Sequence, residues 1–199
     1  MLIRAIDFET TAWPEDPTAE ICEVGYTDFT PDDPFRPFAI NGFTAFLVNP
    51  GSAISEGCQK VHGITQDMVQ NKPSPATAKK HLTAGLSPQG TTFAAHYIDF
   101  EKHFLPLKEF GWICTWRCSK IFFPESPRHK LEALFNHLKL SSSDCFEPKF
   151  AAPLHRAGPD SYLCALLVER LLEKASLETL LEISARPAET FPRSKEATQ

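Results

Sequence analysis

The apolar run that opens this chain carries two carboxylates, Asp7 and Glu9, within Ile3-Arg-Ala-Ile-Asp-Phe-Glu-Thr-Thr11. Leu2 to Phe8 reads as a strand, and on a strand the side chains at i and i+2 point to the same face. Leu2, Ile3 and Ile6 argue for an interior strand, where two neighbouring carboxylates repel each other and are expensive to desolvate. A fold gains nothing from that arrangement by itself. Divalent cations would offset the cost, because hard ions such as Mg²⁺ prefer oxygen ligands. Two such ions about 3.5–4 Å apart can clamp the attacking and leaving oxygens of a phosphodiester. The competing reading is a solvated strand face with alternating acids.

Two further strands follow. Ile21 to Phe29 and Phe43 to Val48 are rich in β-branched and aromatic residues and are bounded by Pro, Gly or Asn. Short connections favour an antiparallel meander, and residues 30–42 read as a proline-rich loop. Later segments alternate. A helix can open at Ser74 or Pro75 and run to about Thr83. A strand at Thr91–Ala95 leads into a helix holding Phe100, Phe104 and Leu107, and Ile113–Thr115 reads as another strand. Leu131, Leu134, Phe135 and Leu138 fall at helical spacing, as do Leu163, Leu166, Leu167 and Leu171, and both stripes read as core. The expected class is α/β, a mixed sheet with an antiparallel meander and then parallel strands, flanked by helices. From Arg186 onward no periodicity remains, so that tail is expected to be mobile.

The 199 residues, 42 % hydrophobic and 23 % charged, suit one packed domain. No apolar stretch approaches the roughly 20 residues of a membrane span. The N-terminus enters a strand pattern directly, which does not resemble a signal peptide. Six cysteines at irregular spacing, without a CxxC, read as reduced thiols and point to the cytoplasm. The net charge of −5 argues against a module that coats nucleic acid through phosphate contacts alone. It leaves a nuclease open, because site acids account for most of the excess. Lys79-Lys80, Lys102-His103, Arg128-His129-Lys130 and Arg156 could line a groove, although such groups are more often solvated.

Two more segments carry candidate chemistry. Phe93-Ala-Ala-His-Tyr-Ile-Asp-Phe-Glu-Lys-His-Phe104 holds Asp99 and Glu101. Two apart on a helix, they diverge by about 200°, so only one can face a metal. Spacing alone does not choose between them. In His155-Arg-Ala-Gly-Pro-Asp160, Gly158-Pro159 signals a helix start. His155 would then lie in the preceding loop and Asp160 in the first turn. Taken singly, Asp160 is also readable as a helix-dipole partner and His155 as a surface histidine.

Asp7-Phe-Glu-Thr-Thr11, the middle His96-x-x-x-Phe100-Glu101 and the late His155-x-Ala157-x-x-Asp160 resemble, in this order, the three exonuclease motifs of the DEDDh 3′→5′ exonucleases. The similarity extends to Val61-His-Gly-Ile-Thr65, to Ile113-Cys-Thr115 followed by Pro124 and His129-Lys-Leu131, and to Leu180-Leu-Glu-Ile-Ser-Ala-Arg-Pro187. The last of these is similar to the exodeoxyribonuclease X branch. The resemblance implies a ribonuclease-H-like fold and a 3′→5′ exonuclease that releases nucleoside 5′-monophosphates from single-stranded DNA or DNA 3′ ends, with RNA or oligonucleotides as the alternative substrate. It implies two Mg²⁺ or Mn²⁺ ions held by Asp7, Glu9, Glu101 and Asp160, with His155 as general base. Phe8, Thr10, His96 and Phe100 fall at substrate-binding positions. On this basis residues 1–175 form the exonuclease domain and 176–199 a C-terminal extension. Glu101 stands where the family carries a shorter aspartate, and Tyr97 stands where asparagine is usual. The glycine- and lysine-rich segment that often closes the exodeoxyribonuclease X pattern is missing. Glu101 and Tyr97 leave a catalytically weakened nucleic-acid-binding module as a competing reading. A zinc module around Cys58 and His62 rests on one C-x₃-H and carries little weight.

Overall fold

The structure is a computed structural model that describes residues 1–31 and 40–192. Most of the expected 30–42 loop, and the tail beyond 192, therefore lie outside the described residues. In chain order the regular elements are β1 (Leu2–Thr10), β2 (Ile21–Phe29), β3 (Thr44–Leu47), α1 (Glu56–His62), α2 (Gln66–Val69), α3 (Pro75–Thr83), β4 (Thr91–Ala95), α4 (Ile98–Phe104), β5 (Gly111–Cys114), α5 (Thr115–Phe122), α6 (Leu131–His137), α7 (Ala157–Leu172) and α8 (Leu177–Ala185). The strands form one five-stranded sheet in the order β3-β2-β1-β4-β5. β1 to β3 pair antiparallel, while β4 runs parallel to β1 and β5 parallel to β4. This is the mixed sheet expected from the sequence, with β1 at its centre.

Alternation along β1 divides the core. Ile3 and Ala5 pack with Leu163, Leu166 and Leu167 of α7 on one face, whereas Ile6 and Phe8 pack with Leu82, Phe93 and Phe104 on the other. Asp7 and Glu9 continue the Ile3–Ala5 face. They therefore emerge under α7, at the end of the strand where the apolar packing stops.

Several boundaries differ from the sequence reading, each for a local reason. α4 ends at Phe104 and leaves Leu107 outside, because Pro106 disfavours helical backbone at Leu105. β5 closes at Cys114, and Thr115 opens α5, whose Trp116 N–H bonds the His96 carbonyl. β3 is shorter than Phe43–Val48, although the Val48 N–H still reaches the Cys22 carbonyl. α6 stops at His137, and Leu138 is its C-cap.

The C-terminal segment joins the core. Leu180 and Phe191 are buried, and the Ser184 hydroxyl accepts the Cys114 N–H at 2.7 Å. The expected boundary after residue 175 thus falls between two helices that share one core, and the expected mobile tail includes a buried aromatic. Among the described residues, no helix is long and apolar enough to cross a membrane.

Candidate active site

Strand β1 sets the first two acids and α7 brings the third. Carboxylate oxygens of Asp7, Glu9 and Asp160 lie within 4.8 Å of one another, the one such grouping among the described residues able to hold a metal. Burial and mutual repulsion raise their affinity for protons. Asp7 is pushed well above the usual carboxylate range by desolvation and then by Asp160, Glu9 and Glu101. Desolvation, with Asp160 and Glu23 nearby, lifts Glu9 to about 8. Asp160 rises to about 6, also through burial, and the His155 backbone N–H at 3.1 Å moderates that rise.

Glu101 and Asp99 separate cleanly. Asp99 is half exposed and bound to Arg117 at 2.6 Å. Glu101 is buried, its Oε2 has no hydrogen-bond partner among the described residues, and desolvation raises it to about 8. It lies outside the tight three-acid grouping but close enough to raise Asp7. A buried carboxylate oxygen without a partner is costly, and a cation would satisfy it. The four acids therefore fit divalent metal ions.

His155 is exposed, in the loop before α7, with φ at +58°. Such a backbone is uncommon outside glycine. It lets the N–H turn back onto Asp160 while the ring stays in solvent. The helix itself starts at Ala157, two residues before Pro159, because a residue on another strand caps it. Glu23 of β2 is buried, accepts the Ala157 N–H at 3.0 Å, and holds the Arg156 guanidinium through two hydrogen bonds of 2.9 and 2.5 Å. Sequence reasoning missed Glu23. The only signal was an acid inside an apolar strand, and its partner is 133 residues away.

Beside Glu9 lies an open cleft of about 120 Å³, lined by Phe8, Thr10, Trp13, Cys58, Val61, His62 and Phe100 among others. Trp13 is 72 % exposed at its lip, edge-on to Phe100 at 6.3 Å. Phe8, Thr10 and Phe100 thus fall together, whereas Trp13 was not singled out from the sequence. His96 is elsewhere. Its Nε2 donates to the His129 carbonyl and its Nδ1 accepts from Thr115, each at 2.9 Å, so it ties the end of β4 to the start of α5 and to the segment before α6. His62 is similarly engaged: its Nδ1 accepts the Ile64 N–H, and its Nε2 faces the Thr10 carbonyl at 3.3 Å. That leaves no nitrogen for a zinc ion shared with Cys58.

Comparison with known proteins agrees with this geometry. The RNase_T exonuclease family model matches residues 5–167. Exodeoxyribonuclease 10 of Escherichia coli (strain K12) is 26 % identical over 144 residues, which is 71 % of this chain and 61 % of that protein. The match thus spans less than two thirds of the relative's length. A solved structure of exonuclease X in complex with 5′-overhanging duplex DNA superposes with a TM-score of 0.75 at 26 % identity, covering 92 % of this chain and 99 % of that one. The nuclease domain of 3′hExo, a DEDDh family member bound to rAMP, shares the fold at a TM-score of 0.65 and 20 % identity, covering 87 % and 92 %. The chain belongs to the RNase_T exonuclease family and is similar in sequence and fold to exodeoxyribonuclease 10 and exonuclease X.

Proposed function

We propose that this protein is a metal-dependent 3′→5′ exonuclease that removes nucleoside 5′-monophosphates from DNA 3′ ends, including ends recessed behind a 5′ overhang. The observation that carries this reading is the convergence of Asp7, Glu9 and Asp160 beside a buried, partnerless Glu101 oxygen, next to an open apolar cleft. Asp7, Glu9, Asp160 and Glu101 would hold two Mg²⁺ or Mn²⁺ ions. When bound, these ions supply charge neutralisation at the scissile phosphate and make water a competent nucleophile near neutral pH.

The remaining work belongs to the chain's own side chains. Phe8, Phe100 and Trp13 offer apolar and aromatic surface to the terminal nucleotide, in the way aromatic side chains stack single-stranded bases. His155 stands in the loop above Asp160 and takes the proton of the attacking water, a role suited to a side chain that changes charge near neutrality. The six cysteines, none of them in a disulfide among the described residues, support work in a reducing compartment such as the cytoplasm.

The test is a time course on 3′- and 5′-labelled DNA and RNA, single-stranded and with 5′ overhangs, in Mg²⁺, in Mn²⁺ and in EDTA. A 3′ label should leave at once as mononucleotide, a 5′ label should give a shrinking ladder, and EDTA should stop both. Immediate mononucleotide from the 5′ label, or preference for RNA, would overturn the polarity or the substrate assignment.

A further inference from the structure

Glu23 has no place in the hydrolytic step, yet it is buried beside the acids that do. In the β1–β2 register it lies opposite Glu9, and its charge raises both Glu9 and Asp7. A carboxylate in that position worsens the repulsion among the cluster. Its hydrogen bonds show what it does instead. One oxygen takes both the Arg156 Nε and the Ala157 N–H, and the other takes the Arg156 Nη2.

Two residues further along β2, Gly25 lies opposite Asp7. A Cβ built there would come within 2.0 Å of the Ala157 carbonyl oxygen and 2.5 Å of the Gly158 nitrogen. A Cβ at Gly158 would likewise come within 2.4 Å of the Phe43 ring. The first turn of α7 therefore rests backbone-to-backbone on β2, and Glu23 pins its leading edge. His155 and Asp160 flank that pinned segment, joined to each other by the His155 N–H.

We propose that Glu23 is a positioning residue: through Arg156 and the Ala157 N–H it fixes the start of α7, and so places Asp160 and His155 against Asp7 and Glu9. The inference rests on the exonuclease reading, but its first readout does not. Outer hydrogen-bond partners of metal ligands typically govern affinity or activity by about 10–100-fold. Glu23→Gln removes the charge, and Arg156→Lys keeps the charge but loses the planar two-point grip.

Both variants and wild type are titrated with Mn²⁺, by calorimetry or by the quenching of free-ion paramagnetic resonance, at a temperature where circular dichroism shows full folding. Hydrolysis is then measured on labelled DNA. The expected result is Mn²⁺ binding weakened by about 10–100-fold, together with a lower kcat at unchanged KM. Should Glu23→Gln not fold, Arg156→Lys, whose side chain is partly exposed, carries the test alone. Wild-type Mn²⁺ affinity and kcat in a folded variant would overturn the proposal and leave the pair a stability feature. A raised KM with unchanged kcat would also overturn it, since Arg156 would then be a substrate contact. Weakened Mn²⁺ binding in variants of a protein that cleaves no nucleic acid would uphold the positioning role and discard the exonuclease reading.

Discussion

Glu101 and Asp99 stand two positions apart on α4 and meet opposite surroundings, one buried without a partner for Oε2 and the other paired with Arg117 near solvent. Glu101→Ala is therefore expected to lose nearly all hydrolysis, while Asp99→Ala keeps most of it. The reverse outcome in the labelled-DNA assay would transfer the role to Asp99. Glu101→Asp is the finer measurement, and activity at or above wild type would show that the extra methylene is tolerated rather than needed. His155 should behave differently from the acids. His155→Ala is expected to lower kcat by about 10²–10⁴, the range for loss of a general base, while Mn²⁺ still raises the melting temperature. Loss of that thermal shift would make His155 a ligand. Asp7 and Glu9 were legible in the sequence because the strand pattern places them, whereas the Gly158-Pro159 signal put Asp160 in a first turn and His155 before it but set the helix start two residues too late. His96 was legible as a position but not as chemistry, since only the fold shows both its nitrogens engaged, one by Thr115 of α5 and the other by the His129 carbonyl before α6.

At the scale of elements, the acids couple stability to pH and metal. Glu9 and Glu101 titrate near 8 and Asp160 near 6 in the fold, against ordinary carboxylate values of 4.5 and 3.8. A raised folded pKa means that the protonated acid stabilises the fold fully below the unfolded value, and that this contribution vanishes as pH rises through the folded one. The melting temperature in EDTA should accordingly be pulled down as pH climbs from about 5 to about 8. His96 works in the opposite sense. Burial, aided by the neighbouring His129 ring and only partly opposed by the bond to the His129 carbonyl, lowers it to about 4, so its contribution is present above about 6.5 and fades as pH falls. Comparing each pH with and without Mn²⁺ cancels the histidine. The metal-induced shift should grow toward pH 8, and a flat shift would count against a shared cation site. Element starts were the least legible feature. The start of α7 depends on Glu23 and Gly25 of a strand more than a hundred residues earlier, which no local pattern reports.

The whole molecule is expected to need its C-terminal helix. Leu180 of α8 is fully buried, and the buried Ser184 hydroxyl accepts the hydrogen bond of the buried Cys114 N–H. Ser184→Ala should cost about 1–3 kcal/mol in urea denaturation, the penalty for a buried group left unsatisfied. A chain cut after residue 175 loses both features. Removing one buried leucine side chain alone costs about 2–5 kcal/mol, against a total stability of about 5–15 kcal/mol. The truncated chain should lose cooperative unfolding by circular dichroism, and a cooperative transition like that of the full chain would restore the boundary at 175. The sheet class was readable because alternation and turn residues mark each strand. The role of α8 was not, because its partners on β5 and α5 are set by tertiary packing.

The pairing of Asp7 with Gly25 and of Glu9 with Glu23 also bears on when the protein becomes dangerous to nucleic acid. A one-residue slip of this hairpin would turn both acids to the opposite side of the sheet, away from α7. Asp160 arrives only with the last third of the chain, and it docks only where β2 is correctly aligned. A nascent or mispaired copy is therefore expected to be inert, with the capacity to cut phosphodiesters appearing together with the finished fold.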